Sequence, residues 1–205
     1  SLVLDLKTAE DMEIFKRLVE TADVLLENYR PGIVHKLGID YETLSKINST
    51  LVYTSISGYG QDGPYKNRRV YDPLIQATSG LAHAQGLGQA RNVQSIVFDK
   101  VTGMTAAQAV TSAHLQRGKT RAGQYLPISM LESALYYNWP DVMWSRTLLG
   151  EGIRHAGELA DYFQIFKAKD GEVAIVLVAD PAVELLCVWR GTTLHTDPRY
   201  RTLPD

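Results

Sequence analysis

The chain has one cysteine, Cys187, in 205 residues. An intrachain disulfide is therefore excluded, and so is a metal site built from several thiolates. Long hydrophobic runs are missing too. The most extended covers residues 173–179, far short of the roughly 18 apolar residues a membrane span requires. Neither charge dominates: 21 basic side chains face 23 acidic ones, for a net charge of −2. The basic residues are scattered, so no basic stripe points to nucleic acid. The five histidines have no ligand spacing to one another or to Asp or Glu, and no metal is expected. A G-x-S-x-G elbow, a P-loop and a G-x-G-x-x-G fingerprint are all absent. No charged-then-apolar leader opens the chain, so the expected compartment is the cytoplasm, or an organelle matrix after processing.

What remains has the composition of a globular protein, 45% apolar and 21% charged, in one or two domains. "SLVLDLK" opens as a strand, and "DPRYRTLPD" stops after a turn-rich stretch. Both ends read as cuts, and the chain is expected to be a fragment of a longer protein. Thr8 with Asp11 signals a helix start, with Met12, Phe15, Leu18 and Val19 at helical spacing. Residues 22–28 form a short unbroken apolar run, as in a buried strand. A helical turn from Pro31 to Gly38 and a small helix in "YETLSKIN" lead to "TLVYTSISG", rich in β-branched residues. Helix, strand, helix, strand in that order predicts an α/β layer with parallel strands.

Residues 59–69 read as a loop, 73–83 as a helix, 86–92 as a loop, and 101–116 as a long helix dense in Ala and Gly. A strand containing Pro127 follows, then an aromatic helix over 132–149 that Pro140 kinks or interrupts. The texture changes near 150–160, which is the expected domain boundary. Beyond a linker-like segment, two strands joined at "KAKDG" predict a hairpin, and Cys187 falls in an apolar, helix-like run.

Read one at a time, the polar residues have ordinary explanations. Asp99, just ahead of the long helix, is a good helix cap. The same position would also place a carboxylate where helix N–H donors and the dipole can stabilise an oxyanion. Arg30, His35 and Lys36 follow a strand, where ligands of α/β sheets bind, yet they read equally as solvated charges. Arg68 and Arg69 raise the same two readings.

Taken in order, "DVLLENYRPG", "LGIDYETLSKINSTLVYTSISGYGQDGP", "YDPLIQATSGL", "FDKVTGMTAA" and "SM" resemble one family. It is that of the class III coenzyme A transferases, the CaiB/BaiF family. The resemblance runs nearly the whole chain, and its specificity lies in the co-occurrence and order of the segments. It implies a Rossmann-like α/β large domain leading into a small α+β second domain. Residues 1–150 would be part of the CoA-binding large domain, and 151–205 the linker and start of the small one. It also implies interlocked homodimers.

The resemblance further implies an acyl-CoA:carboxylate CoA-transferase. CoA or acyl-CoA would be substrate, a carboxylic acid the acceptor, and no metal or nucleic acid would be involved. Asp99 stands at the family's nucleophilic aspartate, which passes through an acyl anhydride and an aspartyl-CoA thioester. Asn28, Tyr29 and Arg30, then Lys36, then Arg69, Val70, Tyr71 and Asp72 stand at the CoA contacts. A related branch, the α-methylacyl-CoA racemases, pairs an aspartate with a histidine, and Tyr71 occupies the histidine position here. Phenols are ordinarily poor bases at neutral pH, which favours transfer over racemisation. A third possibility is a truncated chain that binds CoA without turning it over.

Overall fold

The computed structural model describes residues 1–85, 88–153, 158–159, 163–175 and 180–197. Helix α1 (Ala9–Thr21) starts where Thr8 Oγ1 accepts the Asp11 N–H at 3.3 Å, so one of the free donors of the first turn is satisfied by the helix's own cap. Strand β1 (Val24–Glu27) follows. Helix α2 (Ile33–Leu37) ends at Gly38 in the left-handed region, φ 69°, which glycine adopts without steric cost. Helix α3 (Tyr41–Leu44) is capped by Asp40, whose Oδ1 accepts the Thr43 N–H at 3.0 Å. It delivers the chain to β2 (Val52–Ser57).

Beyond the loop over 58–71 come α4 (Asp72–Thr78), α5 (Leu81–Ala84), α6 (Val97–Thr120), β3 (Gln124–Ser129) and α7 (Met130–Val142). Strands β1, β2 and β3 form one sheet in that order, parallel throughout, with Val24 opposite Val52 and Val52 opposite Gln124. The α/β class with a parallel sheet is thus as expected. Val19, Ile39, Leu44, Leu51 and Tyr53 bury one core, each large aliphatic side chain contributing roughly 1.5–3 kcal/mol. A second cluster joins Ile75, Phe98 and Ala134. Helix α6 packs along β2 and β3, and its buried Thr102, Ala106 and Ala113 mark the covered stripe. Small residues there let its backbone come close to the sheet. Pro127 lies on β3, at the edge of the sheet formed by the described residues, where a missing N–H is tolerated.

The chain divides into two units, 1–82 with 92–137, and 83–91 with 138–205. The division falls within α7, ahead of the composition change at 150–160. The second unit contains the expected hairpin, β4 (Gln164–Lys167) antiparallel to β5 (Glu172–Ile175). It also holds α8 (Asp180–Trp189), which buries Cys187. The linker around His155, any continuation of β5 over 176–179, and the Arg-rich segment from 198 onward lie outside the described residues.

Several expectations differ from what is observed. Residues 1–5 form no strand, and among the described residues no strand pairs with them. The helix expected over 73–83 is two helices, broken at Gly80, which has φ 90°. Helix α6 starts at Val97, not Val101, so Asp99 is not its cap but the third residue of its first turn. Helix α7 starts at Met130 and passes through Pro140, but stops at Val142, well short of 149. Among the described residues, no helix is long and apolar enough to cross a membrane.

Candidate active site

The C-terminal ends of the three parallel strands open into a cleft of about 700 Å³, the usual ligand position in an open α/β sheet. Its walls come from the loop after β1 (Asn28, Tyr29, Arg30), the end of β2 (Ile56, Ser57, Gly58), the loop before α4 (Lys66, Arg68, Arg69, Val70, Tyr71), the first turns of α6 (Asp99, Thr102, Gly103) and Met130. All belong to the first unit.

Gly58 allows this wall to close. A Cβ there would lie 1.9 Å from Val70 Cγ1, so any larger residue would push the Val70–Tyr71 segment away from β2. Arg68 is held in place by an aromatic face. Its guanidinium carbon lies 4.0 Å from the Tyr65 ring centroid, and Tyr65 meets Tyr59 edge-on at 5.6 Å. Such a contact orients the cation without neutralising it.

Charge in the cleft is lopsided. Arg30, Lys66, Arg68 and Arg69 line it with no carboxylate partner among the described residues, and Asp99 is the one acid in its wall. The arrangement suits a polyanionic ligand with a reactive end at Asp99. Among the described residues, no group of three or more His, Cys, Asp or Glu could hold a metal ion.

Asp99 is fixed through its own backbone. Asp72, 2% exposed at the start of α4, reaches the N-terminus of α6. Its Oδ2 accepts the Phe98 N–H at 2.6 Å and the Asp99 N–H at 3.3 Å. Its Oδ1 accepts from Gln76 Nε2, which also donates to the carbonyl of Ser95 at 3.0 Å, while Gln76 Oε1 accepts the Val93 N–H at 2.7 Å. The segment leading into α6 is therefore tied to α4 on both sides of the buried Gln76. The cap comes from 26 positions upstream, because Ile96, at the N-cap position, has no side-chain acceptor to offer. Loss of hydration around Asp99, and secondarily the Asp72 carboxylate, raise its pKa above the ordinary carboxylate value.

Of the residues singled out in the sequence, Asp99, Asn28, Tyr29, Arg30, Arg69, Val70 and Tyr71 come together around the cleft. Lys36 is exposed on α2 and is not part of the wall. Asp72 is buried behind the wall, its oxygens occupied by Phe98, Asp99 and Gln76. Lys66, Thr102 and Gly103 line the cleft without a sequence signal of their own. The glycine directly after β2, a cue for close backbone approach, was the available signal for this wall.

The family model described as CoA-transferase family III matches residues 1–205. The acetyl-CoA:oxalate CoA-transferase of Acetobacter aceti is 36% identical over 98% of this chain and 53% of its own length. The succinate–glutarate CoA-transferase of Agrobacterium fabrum is 37% identical over 98% of this chain and 52% of its own. A crystal structure of a CaiB/BaiF family protein from Brucella suis superposes with a TM-score of 0.79 at 30% identity, covering 98% of this chain and 55% of that one. The chain spans about half the length of the curated relatives it matches. On the whole-length family match and the relatives together, the chain belongs to CoA-transferase family III, the CaiB/BaiF family.

Proposed function

We propose that this chain carries the CoA-binding cleft and the nucleophile of an acyl-CoA:carboxylate CoA-transferase. The observation that carries the reading is the presence, in a single cleft, of one carboxylate, Asp99, and four cations that have no carboxylate partner among the described residues. CoA carries its negative charge on phosphates at one end and its thioester at the other, which matches that division. Arg30, Lys66, Arg68 and Arg69 take the phosphates, while Asn28, Tyr29, Val70 and Tyr71 shape the wall beside them.

In the proposed reaction the Asp99 carboxylate attacks the thioester carbonyl. The C–S bond breaks, leaving an acyl-aspartyl anhydride and CoA thiolate. The thiolate attacks the aspartyl carbonyl, the donor acid leaves as its carboxylate, and an aspartyl-CoA thioester remains. The acceptor carboxylate then attacks this thioester and displaces the thiolate, forming a second anhydride. Attack of the thiolate on the acceptor's acyl carbonyl releases the new acyl-CoA and regenerates Asp99. Covalent catalysis divides one difficult exchange into easier steps. A carboxylate with a raised pKa is more basic and so a better nucleophile when ionised. The tetrahedral oxyanions form beside the first turn of α6, where the helix dipole favours negative charge although its Phe98 and Asp99 N–H groups are already taken by Asp72.

The test is chemical trapping. Incubation with acyl-CoA followed by hydroxylamine should convert Asp99 to a hydroxamate, located by peptide mass spectrometry. Full transfer by an Asp99→Ala variant would overturn the assignment. Deuterium entering the α-carbon of an acyl-CoA without exchange of its CoA would select a racemase instead. CoA binding with no turnover would select a non-catalytic CoA-binding chain. The proposed assembly is a homodimer and the proposed compartment the cytoplasm.

A further inference from the structure

Behind the cleft, at the ends of β1 and β2, lies a second buried polar group that the proposed chemistry does not use. Glu27 is the last residue of β1 and is 7% exposed. It is in register with Ser55 on β2, so both side chains leave the sheet on the same face. One carboxylate oxygen accepts the Ser55 hydroxyl, and the other accepts the Tyr29 N–H at 2.7 Å. Ser55 Oγ accepts in turn from Gln61 Nε2 at 2.9 Å. No cation pairs with Glu27 among the described residues. Burying a carboxylate in this way is costly, and an apolar residue would close the strand end more cheaply.

What the carboxylate does is visible in whom it holds. Tyr29 stands between Asn28 and Arg30 in the first cleft loop, and Gln61 lies on the loop that goes on to Lys66, Arg68 and Arg69. The chain of bonds from the Tyr29 amide through Glu27 and Ser55 to Gln61 therefore joins the two loops that supply the cleft's cations. A charge-assisted bond to a backbone amide fixes the local backbone, and with it the direction of the side chains on either side.

We propose that Glu27, acting through Ser55 and Gln61, is a positioning residue that holds residues 28–30 in the shape that receives CoA and keeps the two cationic loops in register. The inference rests on the reading of the cleft as a CoA site. It is a role in ground-state binding, so it belongs in affinity and KM rather than kcat.

The experiment compares the full chain with Glu27→Gln, Glu27→Ala and Gln61→Ala, measuring CoA affinity by calorimetry and amide hydrogen exchange at Tyr29. Glu27→Ala should weaken CoA about tenfold and speed exchange at Tyr29. Glu27→Gln, which retains a carbonyl oxygen for the Tyr29 N–H, should recover part of both. Gln61→Ala should weaken CoA by a few-fold. If Glu27→Ala does not fold, the other two variants decide. Wild-type affinity and wild-type exchange in both of those would overturn the proposal, as would lost affinity with no change at Tyr29. If the unmodified chain binds no CoA, the CoA reading falls. Faster exchange at Tyr29 in the same variants would still support the clamp, and unchanged exchange would overturn it.

Discussion

The carboxylate of Asp72 caps the helix that carries Asp99, accepting the Phe98 and Asp99 N–H groups on a single oxygen at 2.6 and 3.3 Å. One acid thus positions another while repelling its charge, and the two effects can be separated. Asp72→Asn retains an acceptor oxygen and removes the charge. Without that charge Asp99 ionises at lower pH, so the acid limb of the kcat–pH profile should move down. The limb should stay above the ordinary carboxylate value, because loss of hydration is the larger cause of the raised pKa. An unmoved limb would count against the coupling. Asp72→Ala should also cost about 1–3 kcal/mol of stability, because it strips the cap and leaves Gln76 short of a partner.

Cations that line the cleft should contribute more to binding than one that lies outside it. Arg68→Ala and Arg69→Ala should each weaken CoA by roughly 5–30-fold, the range for lost charge-assisted bonds to phosphate. Both losses should shrink at high salt. Lys36→Ala should weaken CoA less than Arg69→Ala, since Lys36 is exposed on α2 outside the wall. Titration of the three variants at two ionic strengths orders them, and an equal or larger effect at Lys36 would contradict the geometry.

Gly123 should admit no side chain. A Cβ there would lie 2.1 Å from the Leu51 carbonyl oxygen, and a backbone atom cannot rotate aside as a side chain can. Gly123→Ala should separate the starts of β2 and β3 and lower stability by roughly 1–3 kcal/mol, the usual cost of overpacking. Urea unfolding of the variant measures this directly, and a midpoint matching the wild type would show that the strands can part freely.

Asp23 should make stability sensitive to acid. Its hydrogen bond to Arg117, followed by their Coulombic attraction, lowers its pKa below the ordinary carboxylate value. A group depressed in the folded state stabilises above its unfolded pKa, and that contribution is lost as pH falls through the folded value. Asp23→Asn should therefore destabilise the chain at neutral pH, with the difference fading below about pH 4 as the wild-type acid is protonated. Unfolding curves at the two pH values test this, and an equal difference at both would refute it.

Much of the fold was readable because its signals are local. Thr8 and Asp11 lie on one turn, Gly38 ends its own helix, and the apolar runs of β1 and β2 stand between clear breaks. The start of α6 was misread because its cap comes from Asp72, far upstream, and Ile96 carries no capping side chain. Residues 1–5, with Leu2, Val3 and Leu4 in a row, read as a strand, but among the described residues no strand pairs with them. The site was legible as a family order and not as geometry. Order brought Asn28, Tyr29, Arg30, Arg69 and Asp99 to attention, whereas only packing shows Asp72 behind the wall, Lys36 away from it, and Lys66 within it.

Helix α6 is anchored at both ends. Asp72 holds its first turn, and near its last turn Arg117 donates to the Asp23 carboxylate at 2.7 Å and to the Thr50 carbonyl at 3.2 Å. At 1.5 Å per residue the two anchors are roughly 27 Å apart, spanning the strands from the ends where they begin to the ends where the cleft opens. The helix behaves as a strut braced across the sheet. Its axial setting fixes how far Asp99, the proposed nucleophile, projects into the cleft. A largely buried arginine at the remote end of the strands thereby helps set the reach of Asp99, though it lies far from the cleft.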